Sequence, residues 1–392
     1  MRKFRIAHLG AGNSPHLHVL ARELSQRGHE LTIISGTNYQ PLPEIKNVTA
    51  CTFDSTRRFD VKIRAIREIL AARKIEILHS HYVNHGGFAA ALTAFHPHVL
   101  SAWGDDILLT PQESFAKKLM VTGALLTADL VLPVSNALGE EITRLTSKKV
   151  KPVTWHWGVD GKHFARNENA AQKFREALGL TLNDIVVYSP RLLWPDYHHD
   201  VLLEAWPKVL QEFPAAKLVL KRTGENKIYE NKLRALSVGL GIESSLTWIE
   251  SLPYSELPTS YAAADVVVSL PLTEGTPITI LETLACETIV VVADIPAVRH
   301  WVEERKTGFL TSLAATNVAQ ALIDALKISR DERRHMGQQG RKYVLERAER
   351  KICFDRLEQI YSGIATKPHF SLVTTLQKLA PSLKQRGSRG RH

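Results

Sequence analysis

Apolar residues along the chain fall into two alternating patterns. Short, nearly continuous apolar runs, of the kind made by strands buried on both faces of a parallel sheet, alternate with longer stretches in which apolar positions recur every third or fourth residue. Residues 4–9, 31–34, 75–80, 99–102 and 130–135 read as strands, with a helix from about His16 to Arg27 closed by Gly28. The pattern restarts after residue 165. Residues 185–191, 217–220, 266–270 and the apolar part of 285–296 read as a second set of strands, with helices over about 200–212 and 346–361. Such alternation implies an α/β chain with parallel sheets, because parallel neighbours need a crossover connection.

Composition sharpens this picture. A chain of 392 residues with 44% hydrophobic content can bury two ordinary cores. No apolar run is long enough to span a bilayer, and the apolar part of the first ten residues is too short for a signal peptide, so a cytoplasmic protein is expected. Cys51, Cys286 and Cys353 form an odd, scattered set, which argues against a disulfide framework.

The net charge of +10 calls for an anionic partner, whether nucleotide diphosphate, anionic lipid or nucleic acid. Basic residues concentrate in residues 57–74, at Lys148, Lys149 and Lys151, and in the acid-free segment after Glu358. No zinc spacing or aromatic interleaving accompanies them, so nucleic acid is not an expected partner. In the stretch carrying Arg58, Lys62, Arg64 and Arg67, the residues Phe59, Ile63, Ile66 and Leu70 form an apolar helical stripe. A core-facing stripe with a solvated basic face is favoured there over membrane contact.

Candidate chemistry centres on Glu274 to Glu282. The two carboxylates have seven residues between them, Glu274 ahead of an expected helix and Glu282 inside it. Thr276 and Pro277 suit an N-cap and first helical position, which would leave backbone N–H groups of Thr276, Ile278 and Thr279 to point at an anion. A carboxylate on either side could accept hydrogen bonds from sugar or ribose hydroxyls. Near the N-terminus, Gly10 and Gly12 lie between a strand and a helix but lack the third glycine of a dinucleotide fingerprint. His79 and His81 share a strand face, yet no third metal ligand stands at a recognisable spacing.

These stretches together resemble the retaining glycosyltransferases of family 4. The resemblance is carried by Glu-x7-Glu, by the following helix and hydrophobic strand, by Asp294-Ile295-Pro296 and by Gly308-Phe309-Leu310. Trp157-Gly158-Val159-Asp160 with Phe164 is similar to the segment leading into that family's second domain. The resemblance implies the GT-B fold, two Rossmann-like doubly wound domains facing a cleft. The first would span 1–164 and take the acceptor; the second would span 165–365 and hold a nucleotide-sugar donor, with its final helix crossing back. A basic, flexible tail would cover 366–392.

The same resemblance implies roles for particular residues. Glu274 would be catalytic, at the donor sugar's hydroxyls, and Glu282 would bind the ribose. Arg191, Gly275, Thr276, Pro277 and Ile278 would hold the donor diphosphate. The family usually has a glycine before that arginine and a lysine soon after it; here Pro190 replaces the glycine, no lysine follows, and Lys221 is expected to substitute in preference to Arg222. Gly12, Asn13 and Trp103 would lie on the acceptor side, Trp103 standing where the family has a histidine. The implied reaction retains anomeric configuration and, in the absence of an Asp-x-Asp motif, uses neither metal nor cofactor. The expected partners are a nucleotide-sugar and a glycan or lipid-linked acceptor, with peripheral contact to anionic membrane. A nucleotide-sugar epimerase on the same fold, or a non-catalytic binding protein, would be the alternatives.

Overall fold

The computed structural model of the chain describes residues 2–38, 45–181, 184–222, 224, 226–365 and 369–370. Two compact units are present, one formed by residues 1–157 with 353 onward and the other by 158–352, against a boundary expected near residue 165.

In the first unit the strands are β1 (Arg5–Leu9), β2 (Glu30–Gly36), β3 (Val48–Phe53), β4 (Ile77–His81), β5 (Phe95–His96), β6 (His98–Ala102) and β7 (Leu130–Pro133). All but β5 form one parallel sheet in the order β3-β2-β1-β4-β6-β7. The second unit contains β8 (Ile185–Ser189), β9 (Ala216–Lys221), β10 (Leu246–Ile249), β11 (Val266–Ser269), β12 (Ile289–Ala293) and β13 (Gly308–Thr311), ordered β10-β9-β8-β11-β12-β13. Both are doubly wound sheets of the same order. In each the direction of winding reverses beside the first strand, between β1 and β4 and between β8 and β11, and this reversal opens a crevice at the strands' C-terminal ends.

Burial on both sheet faces explains the apolar runs. Val187, Val266, Val268, Ile289 and Val291 face one core of the second unit, while Val186, Tyr188, Val267, Val290 and Val292 face the other. Successive strand residues point to opposite faces, so both faces must be apolar. Each fully buried aliphatic side chain contributes about 1.5–3 kcal/mol.

Two expectations need correction. The single last helix is two, Arg330–Ala348 and Arg350–Ile364, broken at Glu349. Val159 causes the break: its N–H donates to Ala348 O at 2.8 Å and its carbonyl accepts from Arg350 N at 2.9 Å, a strand-like pairing that no helical continuation allows. Part of the expected flexible tail is ordered as β14 (His369–Phe370), which pairs antiparallel with β5 and sets Phe370 edge-on against Phe95. The rest of the tail, residues 366–368 and 371–392, lies outside the described residues.

Glycines inside two helices offer a paired test of packing. A Cβ at Gly337 would overlap the Glu287 carbonyl oxygen, whereas a Cβ at Gly123, in the helix Phe115–Thr127, meets nothing within 4 Å. Gly337→Ala should therefore destabilise by about 1–3 kcal/mol through overpacking. Gly123→Ala should stabilise by about 0.5–1 kcal/mol, the helix preference of alanine over glycine. Denaturant midpoints moving in the same direction for both would contradict this packing.

Candidate functional site

The second unit's crevice is built from the chain leaving β8 and β11. Arg191 follows β8, and its Nη2 donates to Glu274 Oε2 at 2.9 Å while Nη1 donates to Thr279 Oγ1 at 3.2 Å. The guanidinium carbon lies 4.0 Å from the centre of the Tyr197 ring. The loops are strapped together: Leu272 N–H donates to Asp196 O at 2.9 Å, and His198 Nδ1 lies 3.0 Å from Leu270 O. Arg191 is only 9% exposed. Its burial works against the charge, but Glu274 and Tyr197 outweigh that effect and raise its pKa above the ordinary value.

The helix after Glu274 begins one residue later than expected. It spans Ile278–Ala285, with Pro277 rather than Thr276 at the cap. Proline bars its predecessor from helical geometry, and Pro277 itself sits at φ −77°, ψ 75°, an inverse γ-turn. That turn brings Ile278 N–H to Thr276 O at 2.8 Å, so this donor is already engaged and is not open to an anion as expected. Gly275, Thr276 and Pro277 are buried.

Glu282 lies on the buried side of the same helix. Its Oε2 accepts from Tyr261 Oη at 2.9 Å. Burial raises its pKa from the ordinary 4.5 to about 7, against the Tyr261 hydrogen bond and the positive charges of Arg350, Lys221 and Arg191. Lys221, ending β9, is thus close enough to act on this carboxyl. Its neighbour Arg222 turns to Glu250 and Glu230. Arg191, Glu274, Glu282 and Lys221 therefore belong to one constellation, to which the structure adds Tyr197, Tyr261 and the hydroxyl of Thr279. Tyr261 carried no sequence signal, since nothing in its local pattern marks it.

Gly12, Asn13 and Trp103 belong to the other unit. Gly12 is buried and Asn13 exposed in the loop before the helix Pro15–Gln26. Trp103 sits edge-on to His16, His81 and Trp157, with ring centroids 5.1–5.8 Å apart, and its buried indole N–H has no hydrogen-bond partner. Buried Asp106 fixes this turn by accepting from the N–H groups of Val83 at 2.8 Å, Gly104 at 2.8 Å and Trp103 at 3.1 Å. Burial raises the Asp106 pKa, and burial lowers that of His16 to about 4. The sequence showed only His79 and His81 on one strand face; the register of β1 with β4 sets His8 opposite His79 and completes a buried trio.

Comparison with known proteins bears on the family and the fold. Residues 5–136 match the family Glycosyl transferase 4-like, and residues 171–343 match Glycosyl transferases group 1. The chain is 26% identical to a D-inositol 3-phosphate glycosyltransferase of Nocardia farcinica, over 85% of this chain and 81% of that protein. It is 25% identical to a putative teichuronic acid biosynthesis glycosyltransferase of Bacillus subtilis over 63% of this chain, a match that spans 60% of that relative's length. Among solved structures its fold is similar to a sucrose-phosphate synthase of Thermosynechococcus elongatus (TM-score 0.79, 16% identity, 92% of this chain and 99% of the other). It is also similar to the HepE protein of Anabaena solved with UDP and glucose (TM-score 0.77, 16% identity, 92% and 100%).

The protonation of Glu282 is open to direct measurement. Between pH 4.5 and about 7 the folded protein holds a proton there that the unfolded chain has lost, so the stability this residue confers is full below pH 4.5 and falls as pH rises through about 7. Glu282→Gln stays neutral and removes that dependence. From about pH 5 to about pH 8 the stability difference should move in the variant's favour by up to about 3 kcal/mol. A difference that stays constant across those conditions would mean an ordinary carboxyl.

Proposed function

The chain belongs to the family 4-like glycosyltransferases of GT-B fold, and we propose that it transfers a sugar from a nucleotide-sugar donor to a glycan or lipid-linked acceptor with retention at the anomeric carbon. The observation that carries this reading is the ion pair between buried Arg191 and half-buried Glu274 at the C-terminal ends of β8 and β11, beside the start of the helix Ile278–Ala285. A diphosphate and a sugar need a fixed cation and a fixed acceptor side by side, and this pair provides both. The HepE structure with UDP and glucose shows that a protein of this fold takes such a ligand set.

In the proposed reaction the bond from the anomeric carbon to the diphosphate oxygen breaks while the acceptor oxygen bonds to the same carbon. The acceptor's proton passes to the departing phosphate. Arg191 keeps N–H groups beyond those given to Glu274 and Thr279, and with the helix dipole they stabilise the growing phosphate charge. Transfer is proposed to proceed without a divalent metal, Arg191 and Lys221 supplying positive charge instead. Glu274 accepts from the donor sugar's hydroxyls, Glu282 binds the ribose, and the first unit takes the acceptor. Release of nucleoside diphosphate that depends on an added acceptor separates transfer from epimerisation and from mere binding. The nucleotide is identified by the thermal stabilisation that each of a panel of nucleoside diphosphates confers.

Kinetics of three variants test the assignment. Arg191→Ala should lower kcat/KM for the donor by a factor equivalent to about 2–4 kcal/mol, and a near-native value would remove Arg191 from the reaction. Ribose contacts change little as the glycosidic bond breaks, so Glu282→Gln should act mainly on donor KM. Glu274→Gln should depress kcat far more than it weakens nucleoside diphosphate binding by calorimetry. Unchanged kcat in both glutamate variants, with equal losses of nucleotide affinity, would reduce the pair to a binding clamp.

A cytoplasmic protein resting on the inner face of the membrane would suit a lipid-linked acceptor. Among the described residues no helix is long and apolar enough to cross a membrane. Part of the basic helix face is already engaged, since Arg58 pairs with Asp60 at 3.2 Å and Arg67 stacks on Phe370 at 4.7 Å. Peripheral binding therefore rests on Lys62, Arg64 and the basic tail, each charge contributing about 1 kcal/mol near an anionic surface. The protein should sediment with anionic vesicles at low salt and be released as salt rises. No sedimentation at low salt would direct the search to soluble acceptors.

A further inference from the structure

We propose that His8, His79 and His81 form a site for one divalent transition-metal ion of the zinc class, acquired as the first unit folds. The trio sits where that unit's sheet reverses its winding. His8 on β1 is in register with His79 on β4, and His81 follows two residues later on the same face. One ring nitrogen from each residue lies within 4.8 Å of the other two. Zinc bonds imidazole nitrogen at about 2.0–2.1 Å, so tetrahedral ligands stand roughly 3.4 Å apart, and small inward shifts suffice.

Hydrogen bonding alone does not account for three imidazoles here. His8 Nδ1 and His81 Nε2 lie 3.0 Å apart and share one proton, while His8 Nε2 and His81 Nδ1, both buried, have no partner. His79 has Tyr361 Oη at 2.6 Å from Nδ1 and Ser101 Oγ at 2.8 Å from Nε2. One of these nitrogens can turn to an ion while the other contact fixes the ring, the usual arrangement around a metal-bound histidine. A neutral imidazole has one nitrogen lone pair to give to a metal ion. Imidazole ligands favour Zn2+, Ni2+ or Cu2+ over Mg2+ or Ca2+, so this site is separate in chemistry from the proposed metal-free transfer.

Access limits the site to a structural role. A Cβ on Gly86 would lie 2.5 Å from His81 O and 2.7 Å from Leu9 O, so the chain above the trio is packed onto the strand ends. Entry during folding follows.

The test refolds the untagged full chain from denaturant after chelation, with ZnCl2, with MgCl2 or with neither, and measures bound metal after gel filtration. Wild type should retain about one zinc and no magnesium, with a Tm about 5 °C above the metal-free protein. His8→Gln should retain less than about a tenth of an ion, while His335→Gln, at an exposed histidine, should match wild type. Should His8→Gln fail to refold, wild type refolded with Co2+ should show the intense visible bands of a four-coordinate nitrogen site. Less than a tenth of an ion on wild type, equal zinc on wild type and His8→Gln, or a weak six-coordinate cobalt spectrum would each overturn the proposal.

Discussion

A guanidinium held at 9% exposure needs a counter-charge, and Glu274 supplies it. Much of the second unit can be understood from that constraint. A buried charge is worth keeping only when geometry and hydrogen bonding are good, and removing its partner strands it at a cost of about 3–5 kcal/mol. Good geometry here requires the loops after β8 and β11 to lie side by side, which follows from the reversal of winding between those strands. The Leu272–Asp196 and His198–Leu270 contacts then hold the loops in register. Tyr197 covers the cation's face, and Thr279 takes a further N–H. An apolar pair could pack there without the cost of desolvating charge.

The two units share a strand order but not a chemistry at the reversal. In the second unit the crevice carries a cation and a carboxylate. In the first, burial leaves neutral imidazoles and indoles, with His16 stacked on Trp157 and Trp103 set edge-on to both. Charged groups suit a diphosphate; neutral rings suit the faces of sugars and soft metal ions. The same backbone plan thus carries different side-chain chemistry at its strand ends.

Much of this was legible in the sequence, and what escaped has physical causes. Strands showed because both faces of each sheet are buried, and that makes apolar runs. Glu274 and Glu282 showed because Thr276-Pro277 marks a loop-to-helix change between them. The cap was misplaced by one residue because Pro277 forms a γ-turn before the helix begins. The break at Glu349 was hidden, since it depends on pairing with Val159, far away in the chain. His8 escaped for a like reason: it lies 73 residues from His81, and only the register of β1 with β4 unites them. Local periodicity reports local structure, whereas sites are assembled by long-range register.

The two glutamates illustrate how one residue type is given two properties. Glu274 faces a guanidinium at the crevice and accepts a hydrogen bond from Arg191 Nη2 at 2.9 Å. Glu282, eight residues on in sequence, turns into the core, where its partner is a phenol and burial raises its pKa to about 7. A carboxyl poised near neutrality can accept or donate a hydrogen bond, and a ribose hydroxyl can meet either form. The helix geometry enforces the difference, because the approach through Pro277 leaves Glu274 outside the helix while Glu282 is committed to its buried face. The two carboxyls thus differ in partner and burial through their places before and within one helix, a difference set by the fold itself.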